Sequence, residues 1–156
     1  MKIFLKTQQG AIRISGSEAG ISEIKFLDEE QQTTSDIPDF LLPAIQQLQA
    51  YFKGDLKEFD LKLDLQGTDF QKKVWHALLE IPYGKTLSYL ELSKKLGDVN
   101  AIRAVASANG KNPVWIVVPC HRVIGSDGSL TGYAGGLERK RYLLHHEGAL
   151  VQQSLF

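Results

Sequence analysis

The chain has 156 residues, 43% of them hydrophobic, and its formal charges cancel to zero. That suits a soluble globular core in one ordinary domain or two small ones. No apolar run reaches the roughly 18–20 residues that span a bilayer, the opening MKIFLKTQQG is not a signal peptide, and a lone cysteine excludes an internal disulfide or a thiolate-rich zinc site. A reducing, cytoplasmic location fits best.

In chain order, KIFLKT, GAIRISG and GISEIKFLD are short Ile- and Phe-rich runs separated by glycine-containing turns, and they read as antiparallel strands. DEEQQTTSD is a polar loop. IPDFLLPAIQQLQAYFKG carries apolar residues at helical spacing and closes at Gly54. EFDLKLDLQG alternates through Phe59, Leu61, Leu63 and Leu65, the pattern of a half-buried strand. Residues 1–66 are therefore expected to form a small α/β domain, with the seam at Gly67-Thr68-Asp69.

Residues 67–156 read as a second, mainly helical domain. Thr68 caps a helix over DFQKKVWHALLEI, with Phe70, Val74 and Leu78 on one face. Ser88-Tyr89-Leu90-Glu91 fits a capping box that opens a short helix ending at Gly97. AIRAVASANG is a second short helix, closed by Gly110, and the two spell a helix-turn-helix. Its small residues allow close approach to a partner, and Arg103 stands out among them. NPVWIVVPCHRVI reads as an extended, largely buried segment. GSDGSLTGYAGG is a glycine loop that presents Tyr133 and lacks the pattern of a phosphate loop. LERKRYLLHHEG is a final amphipathic helix ending at Glu147 and Gly148.

Charge divides along the same seam. Residues 1–66 carry 7 Lys/Arg against 11 Asp/Glu, and residues 67–156 carry 11 against 7. A basic second half is compatible with an anionic partner.

The chemistry centres on Cys120. A free thiol titrates near pH 8.5 and burial raises that value, so a buried cysteine is inert unless a base activates it. His121 is the neighbouring base. Adjacent residues of a strand face opposite ways, so the pair must sit on a bend or work through a water. The base needs a third group to fix its tautomer. Glu147 is the preferred one, because it sits at a helix C-terminus where the dipole disfavours negative charge. Arg122 either anchors a phosphate or pairs with an acid. His145 and His146 are adjacent but make only a weak metal pattern.

Together, PCHRVI after NGKNPVWIVV, and GSDGSLTGYAGGLERKRYLLHHEG after it, resemble the O6-alkylguanine-DNA alkyltransferases, or methylated-DNA–protein-cysteine methyltransferases. The resemblance spans residues 68–148. It includes Ser88-Tyr89, Arg103-Ala104-Val105, Asn112-Pro113, Gly132-Tyr133 and His146-Glu147-Gly148. Residues 1–66 fit the family's ribonuclease H-like N-terminal domain by shape only.

The resemblance implies a function and a set of roles. Cys120 would accept the alkyl group from guanine O6, once per molecule. His121 would take the thiol proton through a water, with Glu147 holding His121. Tyr89 would donate toward guanine N3, and Asn112 would tie the helix-turn-helix to the thiol segment. Arg103 would fill the gap left by a flipped nucleotide. Tyr133 would close over the base, and the carbonyls of Cys120 and Val123 would read its amino group. Ser88, Arg122 and Ala134 join the DNA- and substrate-binding set. The implied partner is duplex DNA containing O6-alkylguanine, approached from the minor groove by a monomer that needs no cofactor, no metal and no membrane.

The chain departs from the family in three ways. Ala134 stands where many members carry a serine that contacts guanine O6, leaving a backbone N–H for that contact. The N-terminal zinc ligands of some members are absent. Overall neutrality predicts modest, salt-sensitive DNA binding. Two other functions use the same residues: a cysteine hydrolase built on Cys120, His121 and Glu147, and a non-catalytic binder of damaged DNA. The first lacks an obvious oxyanion hole and peptide groove, and the second has no use for an intact Pro-Cys-His-Arg sequence.

Overall fold

A computed structural model describes residues 1–149. The chain parts into two compact units, one of residues 1–66 with Pro113–Trp115, the other of Gly67–Asn112 with the chain from Ile116 onward.

In the first unit β1 (Lys2–Thr7), β2 (Gly10–Ser17) and β3 (Gly20–Phe26) form an antiparallel sheet in that order. The register sets Ile3 opposite Ile14, Leu5 opposite Ile12, and Ile14 opposite Ile24. All five are buried, so the period-two alternation puts the branched side chains on one face. A bulge shifts the register between Ser15 and Gly16, and a Cβ on Gly16 would lie 2.6 Å from the Gly20 carbonyl oxygen. A 3-10 turn at Asp39–Leu41 packs on β2 and leads into α1 (Leu42–Phe52), which starts with proline in its first turn. Ala44, Ile45, Leu48 and Tyr51 form its buried stripe.

The strand expected over EFDLKLDLQG does not form. Its side chains alternate in exposure from Phe59 to Leu63, but it makes a single parallel bridge, Ile21 to Leu63. The reason is competition for one sheet edge. Beyond Ile21 the edge of β3 is taken at Ile24, which bridges Val114 and exchanges hydrogen bonds with Pro113 and Trp115. Alternation sets the inward face; a ladder also needs an unpaired edge.

In the second unit α2 (Asp69–Leu78) opens with a full capping box, Thr68 with Gln71. It buries Val74, Trp75 and Leu78, and the Trp75 indole N–H donates to the Ala108 carbonyl at 2.8 Å. Phe70, expected on the same face, is 39% exposed; the buried stripe starts one turn later, at Val74. A short parallel pair, β4 (Leu87–Ser88) and β5 (Val123–Ile124), sets the start of α3 beside the segment that follows Cys120. The helix α3 (Tyr89–Lys95) packs on α4 (Ile102–Gly110), joined through Gly97 and a 3-10 turn at Val99–Ala101. The last helix is α5 (Leu137–His146), capped by Glu147. Among the described residues no helix is long and apolar enough to cross a membrane.

Candidate active site

The segment from Asn112 to Ile124 is buried as expected but is not extended. Ile116 has φ +74°, a left-handed conformation that a β-branched residue adopts only under strain. The chain then makes a 3-10 turn over Cys120–Arg122 before entering β5. This turn is the bend that an adjacent thiol and imidazole require. It directs Cys120, His121 and Arg122 inward, and all three are buried.

His121 is fully enclosed. Its Nε2–H donates to Glu147 Oε2 at 2.8 Å across the second unit. Arg122 grips the same carboxylate, Nε to Oε1 at 2.8 Å and Nη2 to Oε2 at 3.0 Å, while Nη1 donates to the Ile81 carbonyl at 2.6 Å. This corrects the expectation that Arg122 binds DNA or substrate. Of the two roles open to it, the fold takes the acid pair, because a buried guanidinium needs a carboxylate and acceptors for its N–H groups.

Burial would raise the Glu147 pKa, but the His121 and Arg122 donors outweigh it and hold the carboxylate below its usual range. Glu147 therefore accepts only, and the proton between the pair resides on His121 Nε2. Burial also lowers the His121 pKa, so the ring is neutral and Nδ1 carries a free lone pair. That Nδ1 is buried with no hydrogen-bond partner. It is a base poised within the turn that carries the thiol.

Burial pushes the Cys120 thiol up to about 11, against opposing pulls from the Asn112 amide and the Lys140 ammonium. At pH 7 such a group is thiolate in about one molecule in ten thousand. Asn112 is buried, and its amide donates to the Val118 carbonyl at 2.7 Å. It thereby ties the residue after α4 to the strand of chain that delivers Cys120.

A cleft of about 640 Å³ opens between α3, α4 and the glycine loop. Tyr89, Arg103, Tyr133 and Ala134 all border it. The Tyr89 hydroxyl donates to the Thr131 carbonyl at 3.2 Å, and Arg103 is exposed at the head of α4. The Tyr133 side chain leans inward, its hydroxyl buried.

Local bonding corrects one further expectation and bears on another. Ser88 spends its hydroxyl on the cap of α3, accepting the Glu91 N–H at 3.0 Å, and is buried. The Val123 carbonyl accepts the Lys140 ammonium at 2.6 Å, so only its second lone pair is left for a ligand. His145 and His146 have no third ligand nearby. Among the described residues no cluster suits a metal, and His146 instead stacks on Tyr142.

Two buried polar side chains have no signature in the PCHRV motif. Lys140, fully buried, donates to the carbonyls of Val123, Thr131 and Gly132. Burial lowers its pKa to about 8, and the neighbouring Cys120 opposes that shift. Asn109 is buried on α4 and borders the cleft. Spacing does flag both. Lys140 shares a helical stripe with Leu143, Leu144 and Glu147, and Asn109 shares one with Ile102 and Val105. A polar residue on an apolar stripe is the signal.

The family of the 6-O-methylguanine DNA methyltransferases matches the chain twice, its ribonuclease-like domain over residues 1–65 and its DNA binding domain over residues 69–149. A methylated-DNA–protein-cysteine methyltransferase of Methanosarcina acetivorans is 48% identical over 147 residues, covering 90% of this chain and 93% of its own. One from Mycobacterium tuberculosis is 50% identical over 142 residues, covering 88% and 86%. The crystal structure of a Mycobacterium tuberculosis relative in complex with DNA superposes with a TM-score of 0.85 at 47% identity, covering 94% of this chain and 91% of that one.

Proposed function

Because the chain belongs to the 6-O-methylguanine DNA methyltransferase family, we propose that it repairs DNA by moving the alkyl group of O6-alkylguanine onto its own Cys120. The observation that carries this is the buried turn that holds Cys120 beside His121, with Glu147 at the end of α5 bonded to His121 Nε2 and a free lone pair left on Nδ1.

The steps follow from that geometry. The Cys120 proton passes through a water to His121 Nδ1, and Glu147 stabilises the imidazolium that forms. The sulfur attacks the alkyl carbon in line. The C–O6 bond breaks, and its electron pair goes to the guanine ring. Tyr89 exchanges the Thr131 carbonyl for guanine N3 and stabilises the negative charge that grows there. The S–C bond formed is a thioether with no leaving route, so each molecule acts once. The chemistry draws on no cofactor, since the lesion itself supplies the alkyl group.

The exposed face of α4 supports an approach through the minor groove. Arg103 stands there with Ala104, Ser107 and Gly110, a narrow ridge with one long cation. In this reading Arg103 fills the stack after the damaged nucleotide swings out, because a buried thiol cannot reach O6 inside a duplex. Tyr133 covers the extruded base, the Ala134 backbone N–H faces O6, and the Cys120 and Val123 carbonyls offer lone pairs to the amino group. The protein works as a monomer in the cytoplasm.

Intact-protein mass spectrometry after mixing with a short duplex containing O6-methylguanine tests this. The expected result is a gain of one methyl on the peptide holding Cys120, saturating at one per protein, and none in Cys120→Ala. Repeated turnover, or binding without a mass change, overturns it.

A further inference from the structure

The Asn109 side chain is only 3% exposed, yet it borders the cleft. Its Nδ2 donates to the Cys120 carbonyl in a long contact of 3.5 Å, and the amide lies beside the Tyr89 hydroxyl. Its Oδ1 is buried with no hydrogen-bond partner. Turning the amide over would set Oδ1 against the Cys120 carbonyl oxygen, acceptor against acceptor, so that carbonyl fixes the orientation. What remains is a buried amide oxygen that can only accept, on a residue that lines the cleft, with no hydrogen-bond partner. Such an atom is destabilising until a donor meets it.

The chemistry of the substrate class supplies one. Alkylation at O6 removes the proton from N1 of guanine, so N1, N3, N7 and O6 of the damaged base all accept. The 2-amino group is then the one N–H donor the base has. It carries two hydrogens; the Val123 carbonyl already accepts Lys140, so one hydrogen can meet a backbone carbonyl of the turn and the other a further acceptor. Thymine alkylated at O4 loses its N3 proton in the same way and keeps no N–H donor at all.

We propose that Asn109 determines specificity: its Oδ1 accepts an N–H of the 2-amino group of the extruded O6-alkylated guanine. This rests on the reading of the chain as an alkylguanine transferase. It deepens that reading by saying how the site tells alkylguanine from alkylthymine. With guanine bound the orphan oxygen is satisfied. With alkylthymine it stays buried and unpaired, and the site rejects a base that offers it nothing.

The test compares single-turnover transfer rates from duplexes containing O6-methylguanine and O6-methylhypoxanthine, which differ only in the 2-amino group. Wild type is expected to favour the guanine lesion by about tenfold or more, the worth of one buried acceptor. Asn109→Leu, close in size but without the acceptor, should lose most of that preference, chiefly by slowing on methylguanine. The ratio is taken within each protein, so a general loss of activity cancels. Asn109→Ala is measured in parallel, so that a leucine variant that fails to fold does not leave the question open. A wild type indifferent to the amino group, or a preference equally strong in wild type and the Asn109 variants, overturns the assignment. A wild type that takes no methyl from O6-methylguanine would instead overturn the parent reading.

Discussion

One carboxylate, Glu147, serves both His121 and Arg122. Glu147→Gln therefore leaves a buried guanidinium without its counter-charge, and stability should fall by about 3–5 kcal/mol at pH 7. The carboxyl is held below its usual value of 4.5 in the fold. Its stabilisation is thus full above about pH 4.5 and drains away as pH falls through the lowered folded value. Urea unfolding from pH 7 to pH 3 should show the gap between wild type and Glu147→Gln constant down to about pH 5 and narrowing below. A gap that ignores pH would show that the charge carries no stability. The thiol, base and acid were legible as residue types at this scale, because their chemistry is local. The fate of Arg122 was not: phosphate anchor and acid partner make the same demand on sequence, and only burial beside Glu147 separates them.

In the proposed reading, the exposed ridge of α4 is the face that meets DNA. Arg103→Ala should slow transfer from a lesion in duplex DNA by about tenfold or more, since a few kcal/mol of unstacking loses its compensation. Transfer from free O6-methylguanine base should be nearly unchanged, and an equal loss on both substrates would remove the stacking role. The helix starts were readable in advance. Thr68 with Gln71 and Ser88 with Glu91 form the reciprocal caps their spacing announces, because a capping box involves only four consecutive residues. The strand over 59–65 failed because pairing depends on which distant segment reaches the edge of β3 first. The run from Ile116 to Arg122 failed as an extended segment because its turns are imposed by burial. The valines and isoleucine there favour strand by themselves.

Charge acts over the whole molecule. The balance of −4 in residues 1–66 and +4 in residues 67–156 carries over to the two units, since Pro113–Trp115 are uncharged. A net charge of zero with one basic unit predicts weak binding to undamaged duplex that falls by about 40- to 150-fold between 50 and 200 mM salt, as expected for three or four phosphate contacts. Fluorescence anisotropy across that range checks it, and salt-independent binding would exclude a phosphate-led interface. By itself the sequence determined the class of fold, the caps, and the adjacent thiol and imidazole with Glu147 as the acid that meets His121, because motif spacing and helical period are properties of the chain alone; the resemblance to the family pointed to Tyr89, Arg103 and Tyr133, which border the cleft. Tertiary structure alone decided that Arg122 is spent on Glu147, that Val114 displaces most of a predicted strand, and which carbonyls Lys140 and Asn109 meet. Each of these turns on which partner arrives at a buried polar group or an open edge, and that partner comes from elsewhere in the chain.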